Sequence, residues 1–250
     1  MIIDCHVHLV EWAGDNSTES IVRLAACKGI SPLVCSCLGV AGYFRYPTPA
    51  QLMAANDYTL KAVKAFKPDV VGLCYACHSL LEFSLREIDR CVATGPMRGI
   101  KLWVDTKASD VTVEPIARRA VELDVPILQH AFYKTTGNLE NETTPRDVAV
   151  LAAKFPDLRI QMAHLFGCGL RGIGDIAPYP NVYVDTSGSE PEAGVLDRAL
   201  QILGCRRILF GSDAPGRGFG VQLGKVIGTQ MGEQDRNRIL YRNARELYRL

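Results

Sequence analysis

Two histidines lie two residues apart near the start of the chain, at the end of an apolar stretch. The first eight residues read MIIDCHVH, so His6 and His8 close a predicted strand. Residues i and i+2 share a face of a strand, so both imidazoles point the same way. Neutral imidazole is a common ligand of zinc and neighbouring transition metals. The spacing therefore predicts half of a metal site, and the alternative is a pair of ordinary histidines that pack in the core or meet solvent.

Length and composition set bounds on the fold and on the partners. The 250 residues are 48% hydrophobic, enough for a large core, and the length fits one α/β barrel or two smaller domains. The net charge is +1 with scattered Lys and Arg, which argues against a nucleic-acid partner. No apolar run has the length of a membrane span, and no secretion signal is recognised. We therefore expect a soluble, cytoplasmic protein whose nine cysteines are reduced.

Short apolar runs alternate with helical patterns along the rest of the sequence. After the first strand, we predict strands at 33–38, 69–76, 98–103, 125–130, 159–164, 182–185 and 207–210. We predict helices at 17–27, 48–66, 84–94, 114–123, from 144, at 167–176, from 189 and at 233–248. This alternation predicts a parallel sheet, and eight strand–helix units predict that it closes. The expected architecture is a single (β/α)8 TIM barrel with a C-terminal helix, with residues 1–250 as one domain.

Four polar residues mark the starts of predicted helices. Thr48 and Thr144 are each followed by proline, the combination of an N-cap and a first helical residue. Ser84 and Ser189 are each followed three residues later by glutamate, which is the pattern of a capping box. We therefore expect all four residues to be N-caps.

Residues that could bind a metal or move a proton fall at one end of the predicted barrel. Chemistry in such barrels takes place at the carboxyl ends of the strands. Four of the five histidines, one lysine and one aspartate come at or just after strand ends: His6, His8, Lys101, His130, His164 and Asp213. Chance would place one or two residues there, so the whole set favours a functional site over packing.

The motifs around these residues carry a resemblance to a known family. They are IDCHVH at the start, GIKL in strand four, QH ending strand five, AHLFG after strand six, GSDAP after strand eight and ILYRNARELY near the end. In this order and spacing, which run from residue 2 to 249, the sequence resembles the amidohydrolase superfamily. Within it, the chain is similar to the amidohydrolase-related (amidohydrolase 2) branch of metal-dependent TIM-barrel hydrolases and decarboxylases.

The resemblance implies roles for individual residues. The resemblance implies that four residues are metal ligands: His6, His8, His130 and Asp213. Asp213 is then also the acid/base that handles the proton of the metal-bound water. His164 matches a histidine that orients or polarises the substrate in single-metal members and binds the second ion in two-metal members. The cofactor expected from this resemblance is one divalent ion, zinc in the first place.

Lys101 carries two alternatives. Two-metal members of the superfamily have a carboxylated lysine on strand four, so a carboxylated Lys101 implies a second ion. The other interpretation, which we favour, is a lysine that pairs with a substrate anion or a nearby acid. Three other residues follow strand ends and are candidates for substrate contact: Trp12, Trp103 and Arg217.

Two further patterns resemble cofactor motifs and are discounted. The sequence CYACH at 74–78 has the spacing of a c-type haem attachment, but it ends a predicted core strand and has no export signal. The spacing G-x-G-x-x-G at 167–172 follows strand six, too late in the chain for a nucleotide-binding sheet. We therefore expect no organic cofactor.

The expected activity is metal-dependent hydrolysis of an amide, a lactone or another ester of a small molecule. A bound metal ion lowers the pKa of its water from 15.7 to roughly 7, which makes hydroxide available at neutral pH. The alternative is non-oxidative decarboxylation of a small carboxylic acid, aromatic acids included, which needs the same ligands. Assembly into a homo-oligomer is compatible with either activity.

Overall fold

Strands and helices alternate along the protein, as the sequence predicts. The computed structural model describes residues 1–11, 17–190 and 192–250. The strands are β1 Ile2–His8, β2 Ile30–Ser36, β3 Val70–Gly72, β4 Cys74–Tyr75, β5 Ile100–Leu102, β6 Ile127–Gln129, β7 Ile160–Met162, β8 Val182–Asp185 and β9 Ile208–Leu209. The helices are α1 Thr18–Ala26, α2 Pro49–Ala65, α3 Leu81–Ile88, α4 Glu114–Glu122, α5 Pro145–Lys154, α6 Leu165–Ile176, α7 Val195–Leu203, α8 Phe219–Ile227, α9 Glu233–Asn237 and α10 Asn243–Tyr248.

The strands form a parallel α/β barrel. One run of neighbours is β1-β2-β3 and the other is β4-β5-β6-β7-β8-β9, with parallel pairing throughout. Strands β3 and β4 flank Leu73 and together make the predicted third strand. The residues after β9 return to β1, because the amide of Cys5 donates to Phe210 O at 2.9 Å and that of His8 donates to Ala214 O at 2.7 Å. The TIM-barrel prediction is therefore confirmed.

Two of the predicted helix caps are confirmed. The Thr48 hydroxyl accepts from the Gln51 amide, and the Gln51 side chain accepts from the Thr48 amide at 2.8 Å. Thr144 and Asp147 make the same reciprocal pair at the start of α5. Each pair satisfies amide groups that the first helical turn leaves without a partner.

The other two predicted caps are wrong. Ser84 lies inside α3, which already begins at Leu81, and its hydroxyl donates to Cys77 O at 2.7 Å instead of capping a helix. Ser189 does not cap α7, because α7 begins only at Val195, after Gly194 in a left-handed conformation. In both cases the helix begins at a residue other than the one that the local pattern indicates.

The chain ends in a helical segment that packs against the barrel. Helices α9 and α10 are joined by a turn of wider, π-type geometry at Arg238–Arg242. Leu247 and Tyr248 of α10 are buried with core residues of several strands, and the Tyr248 hydroxyl donates to Gln161 Oε1 at 2.6 Å. The predicted C-terminal helix is thus part of the core. Within the described residues, every helix is too short or too polar to cross a lipid bilayer.

Candidate metal centre

Three imidazoles and one carboxylate meet at the carboxyl end of the barrel. His6 Nε2 lies 3.2 Å from His8 Nε2 and 3.7 Å from Asp213 Oδ1. His8 Nε2 lies 3.4 Å from Asp213 Oδ1, and His164 Nε2 lies 3.6 Å from Asp213 Oδ2. Ligand atoms of His6, His164 and Asp213 all lie within 4.8 Å of one another. We call His6, His8, His164 and Asp213 the inner cluster.

The backbone around the cluster is locally unusual. His164 and Asp213 have φ values of 70° and 63°, a left-handed conformation that is uncommon for residues other than glycine. The Asp213 amide donates to His6 O at 2.7 Å, and the His164 amide donates to Asp185 Oδ1 at 3.1 Å. Asp4 Oδ1 accepts from the His6 amide at 3.1 Å and the Ser212 amide at 2.9 Å. These bonds hold β1 and the segment after β9 in register.

The hydrogen-bond partners of the rings indicate which nitrogen carries the proton. His6 Nδ1 lies 3.1 Å from Asp185 Oδ2, and an ionised carboxylate can only accept. His164 Nδ1 lies 3.1 Å from the carbonyl oxygen of Ala131, which also only accepts. His8 Nδ1 is 3.4 Å from the Ser36 carbonyl oxygen and 3.2 Å from its hydroxyl. In each ring Nδ1 is therefore the donor, and the lone pair is on Nε2, which faces the cluster.

The inner cluster fits a divalent cation. Three lone-pair nitrogens and an anionic oxygen face one another, an arrangement of acceptors that is repulsive unless a positive charge lies among them. Burial, followed by the nearby Lys101 cation, lowers the pKa of His6 to about 4. Burial also lowers the pKa of His8. Neutral imidazoles with one carboxylate are a donor set that zinc and manganese accept.

Asp185 organises the cluster, and sequence reasoning gave it no role there. Its side chain is fully buried at the end of β8. Besides His6, it accepts from Gln161 Nε2 at 2.8 Å, from the Ser187 amide at 3.0 Å and from the Ser187 hydroxyl. Burial acts to raise the pKa of Asp185, but the His6 partner and the other donors lower it below its usual value. The available signal was its position, since it closes the predicted seventh strand.

Lys101 lies within the barrel beside the cluster. Its side chain is fully buried on β5, and Nζ lies 3.3 Å from His6 Nε2. Burial lowers the pKa of Lys101 to about 8, against the opposing effect of the Asp213 and Asp185 charges. The structure therefore brings Lys101 to the predicted place, and both predicted alternatives for its role stay open.

His130 lies next to the inner cluster but has a different partner. Its ring is 4.8 Å from that of His164, centroid to centroid. Its Nε2 lies 2.8 Å from Glu142 Oε1, and Nζ of Lys134 lies 2.8 Å from the same oxygen. Burial lowers the pKa of His130 to about 3. Ligation by His130 thus stays a prediction, and Glu142 is a residue that sequence reasoning missed.

A cavity of about 410 Å³ adjoins the cluster. Its lining includes His130, His164, Asp213, Phe132, Lys134 and Arg217. Arg217 is exposed and donates to Gly216 O at 2.7 Å, so the predicted substrate contact lies at the rim. Asp213 is 23% exposed, which makes its carboxylate accessible from this side.

The other predicted substrate residues have different positions. The Trp103 ring lies 5.7 Å from that of Tyr43, which in turn lies 5.3 Å from the His8 ring. Trp103 is therefore linked to the inner cluster through Tyr43, a residue that sequence reasoning did not select. Trp12 lies outside the described residues.

A comparison with known protein families identifies the family of this chain. The model of the family described as Amidohydrolase matches residues 3–250. No curated protein matches the sequence at a significant level.

Solved structures share the fold at low sequence identity. A dihydroxybenzoic acid decarboxylase from Polaromonas sp. JS666, with bound manganese and 2-nitroresorcinol, superposes with a TM-score of 0.79 at 19% identity, covering 100% of this chain and 97% of the other. A 5-carboxyvanillate decarboxylase from Novosphingobium aromaticivorans, complexed with manganese, superposes with a TM-score of 0.77 at 15% identity, covering 100% of this chain and 96% of the other. An uncharacterized TIM-barrel protein from Bordetella bronchiseptica superposes with a TM-score of 0.78 at 16% identity, covering 98% of this chain and 97% of the other.

Proposed function

Because this chain belongs to the amidohydrolase family, we propose that it is a metal-dependent decarboxylase of a small aromatic carboxylic acid. The observation that carries the proposal is the convergence of three imidazole lone pairs and the Asp213 carboxylate beside the fully buried Lys101. The sequence alone favoured hydrolysis. Decarboxylation is preferred because structures of this shape include decarboxylases of dihydroxybenzoic acid and 5-carboxyvanillate.

Aromatic side chains beside the cluster support a flat substrate. Tyr43 lies edge-on to His8, with the ring centroids 5.3 Å apart. Phe132 lies beside His164, with the centroids 5.2 Å apart, and lines the cavity. Aromatic rings pack favourably in offset or edge-on arrangements at such distances. These walls suit a substrate ring whose carboxylate is directed at the inner cluster.

The residues of the site have separate roles in the proposed decarboxylation. His6, His8, His164 and Asp213 would hold a divalent ion, which would supply a Lewis acid for the substrate carboxylate. Lys101 adds a fixed positive charge next to His6, which favours an anionic group in the site. Carbon dioxide leaves, the electron pair of the broken bond stays on the ring carbon, and that carbon takes a proton. Asp213, placed between His8 and His164, accepts the proton of a hydroxyl group on the substrate ring and delivers it to the ring carbon, which leaves the hydroxyl oxygen as an oxyanion.

Hydrolysis is the second candidate, and the state of Asp213 supports it. Burial acts to raise the pKa of Asp213, but the adjacent His164 and His8 hold it well below its usual value. An ionised carboxylate that is reachable from the cavity can take a proton from water and pass it to a leaving group. Both reactions use the same four residues of the inner cluster.

Metal analysis combined with a substrate panel tests the proposal. Purified protein reconstituted with Mn²⁺ or Zn²⁺ is assayed for carbon dioxide release from hydroxybenzoic acids and for hydrolysis of lactones and amides. We expect about one ion per chain and activity on an aromatic acid that chelation abolishes. Hydrolysis without carbon dioxide release would favour the second candidate, and full activity in metal-free protein would reject both.

A further inference from the structure

The loop after β6 holds His130 with a buried carboxylate. Glu142 is 1% exposed, and its Oε1 lies 2.8 Å from His130 Nε2 and 2.8 Å from Lys134 Nζ. Its other oxygen, Oε2, accepts from the Leu139 amide at 2.9 Å. Both carboxylate oxygens of Glu142 therefore accept hydrogen bonds, and one of the donors is the Lys134 ammonium. Glu142 is thus a buried, fully bonded part of the site and differs from a surface ion pair.

The bond to Glu142 orients His130 opposite to the other rings of the centre. A carboxylate that is paired with Lys134 is ionised and can only accept, so the hydrogen of this bond is on His130 Nε2. The lone pair of His130 is then on Nδ1. In His6 and His164 the hydrogen is on Nδ1, which faces an acceptor, and the lone pair is on Nε2, which faces the cluster.

We propose that Glu142 is a positioning residue that fixes the Nε2–H tautomer of His130, so that His130 can take part in the metal centre only through Nδ1. The proposal rests on the metal-dependent function given above. Residues that hold the second nitrogen of a ligand histidine set its tautomer and ring orientation, and their loss typically weakens metal binding by about 10–100-fold. Lys134, which also lines the cavity, pairs with Glu142 and so favours its charged form.

The tautomer can be measured directly in the metal-free wild-type protein. Long-range ¹H–¹⁵N NMR correlations of histidine rings distinguish the two neutral tautomers, and a His130→Gln variant assigns the His130 signals. We expect the Nε2–H pattern for His130 and the Nδ1–H pattern for His6 and His164. An Nδ1–H pattern for His130 would overturn the proposal whether or not the protein binds a metal.

Variants on the same loop test the consequence for binding. Glu142→Gln keeps the size of the side chain but adds a donor, which can reverse the His130 tautomer. We expect its Kd for Mn²⁺, measured by calorimetry, to rise by about 10–100-fold, with an unchanged circular dichroism spectrum. Glu140→Gln, at an exposed position of this loop, is the matched control and should keep the parental Kd.

The outcomes separate this inference from the proposed function. A parental tautomer and a parental Kd in Glu142→Gln would overturn the role of Glu142 while leaving the metal centre intact. A wild-type protein that binds neither Mn²⁺ nor Zn²⁺ would reject the proposed function, and the wild-type tautomer would still decide the role of Glu142. If Glu142→Gln is unstable, Lys134→Met provides the second variant, with the same expected direction of change in Kd.

Discussion

The two ends of the barrel use hydrogen bonding in opposite ways. At the amino end, Arg207 donates to the carbonyl oxygens of Val182, Ala177 and Ile176, at 2.8, 3.0 and 2.8 Å. At the carboxyl end, the acceptors of the inner cluster face one another. Satisfied backbone carbonyls stabilise a fold, whereas acceptors that converge on one point favour the binding of a cation between them. The difference indicates that one end of this barrel maintains the fold and the other is organised for binding.

The strongest way to break this comparison is to remove the histidine pair. The double variant His6→Asn, His8→Asn should lose its bound ion and its activity, because two of the converging nitrogens are gone. The barrel should still fold, since residues at the catalytic face contribute little to the core. Elemental analysis measures the loss of the ion, and circular dichroism shows whether the barrel is still folded. A parental metal content would show that the inner cluster is not the metal site.

Asp213 tests proton transfer separately from metal binding. Asp213→Asn keeps the shape of the side chain and one oxygen but removes the basic site. We expect near-normal metal content and a fall in kcat of about 10²–10⁴, the usual range for loss of a general acid or base. Asp197→Asn, on an exposed face of α7, is the control for a lost surface charge. If Asp213→Asn stays within a few-fold of the parent, the role moves to His164.

The buried histidines predict a pH dependence of stability in the metal-free protein. The pKa of His6 is lowered to about 4 and that of His130 to about 3, so both stay neutral in the fold below pH 6.5. In the unfolded chain, both histidines bind a proton as the pH falls below about 6.5. The free energy of unfolding should therefore be highest above that pH and decrease as the pH is lowered toward 4. Each histidine contributes up to about 1.4 kcal/mol per pH unit.

Urea denaturation at pH 7 and pH 5 measures this dependence. The His130→Gln variant should show a shallower loss than the parent, because one of the groups with a lowered pKa is absent. Equal stability of the parent at both pH values would show that the histidines are not held neutral by burial.

The smallest effect is expected at the amino end. Arg207→Met removes donors from three carbonyl oxygens, which should lower the free energy of unfolding by roughly 2–3 kcal/mol. Metal content and kcat should stay at the parental level, since the change is at the opposite end from the inner cluster. Arg206→Met, the exposed neighbour, is the control in urea denaturation. A loss of bound metal in Arg207→Met would contradict the separation of the two ends.

Local patterns in the sequence were sufficient where local physics decides. Alternating apolar runs and helical patterns predicted the barrel, because a strand buried on both faces must be apolar along its length. Thr48 and Thr144 capped their helices because the bonds they need are within three residues. Ser84 has the local pattern of a capping box but lies inside α3, where its hydroxyl donates to the carbonyl oxygen of Cys77, a residue seven positions earlier.

The sequence by itself determined the barrel and the histidines and aspartate brought to its carboxyl end, because strand periodicity and chain direction place such residues at one rim. Only the tertiary structure decided how these residues are oriented. Asp185 holds His6 across 179 positions of the chain, and Glu142 reaches His130 through a loop. Hydrogen-bond partners that are distant in sequence set the tautomer of each ring, and no local periodicity encodes them.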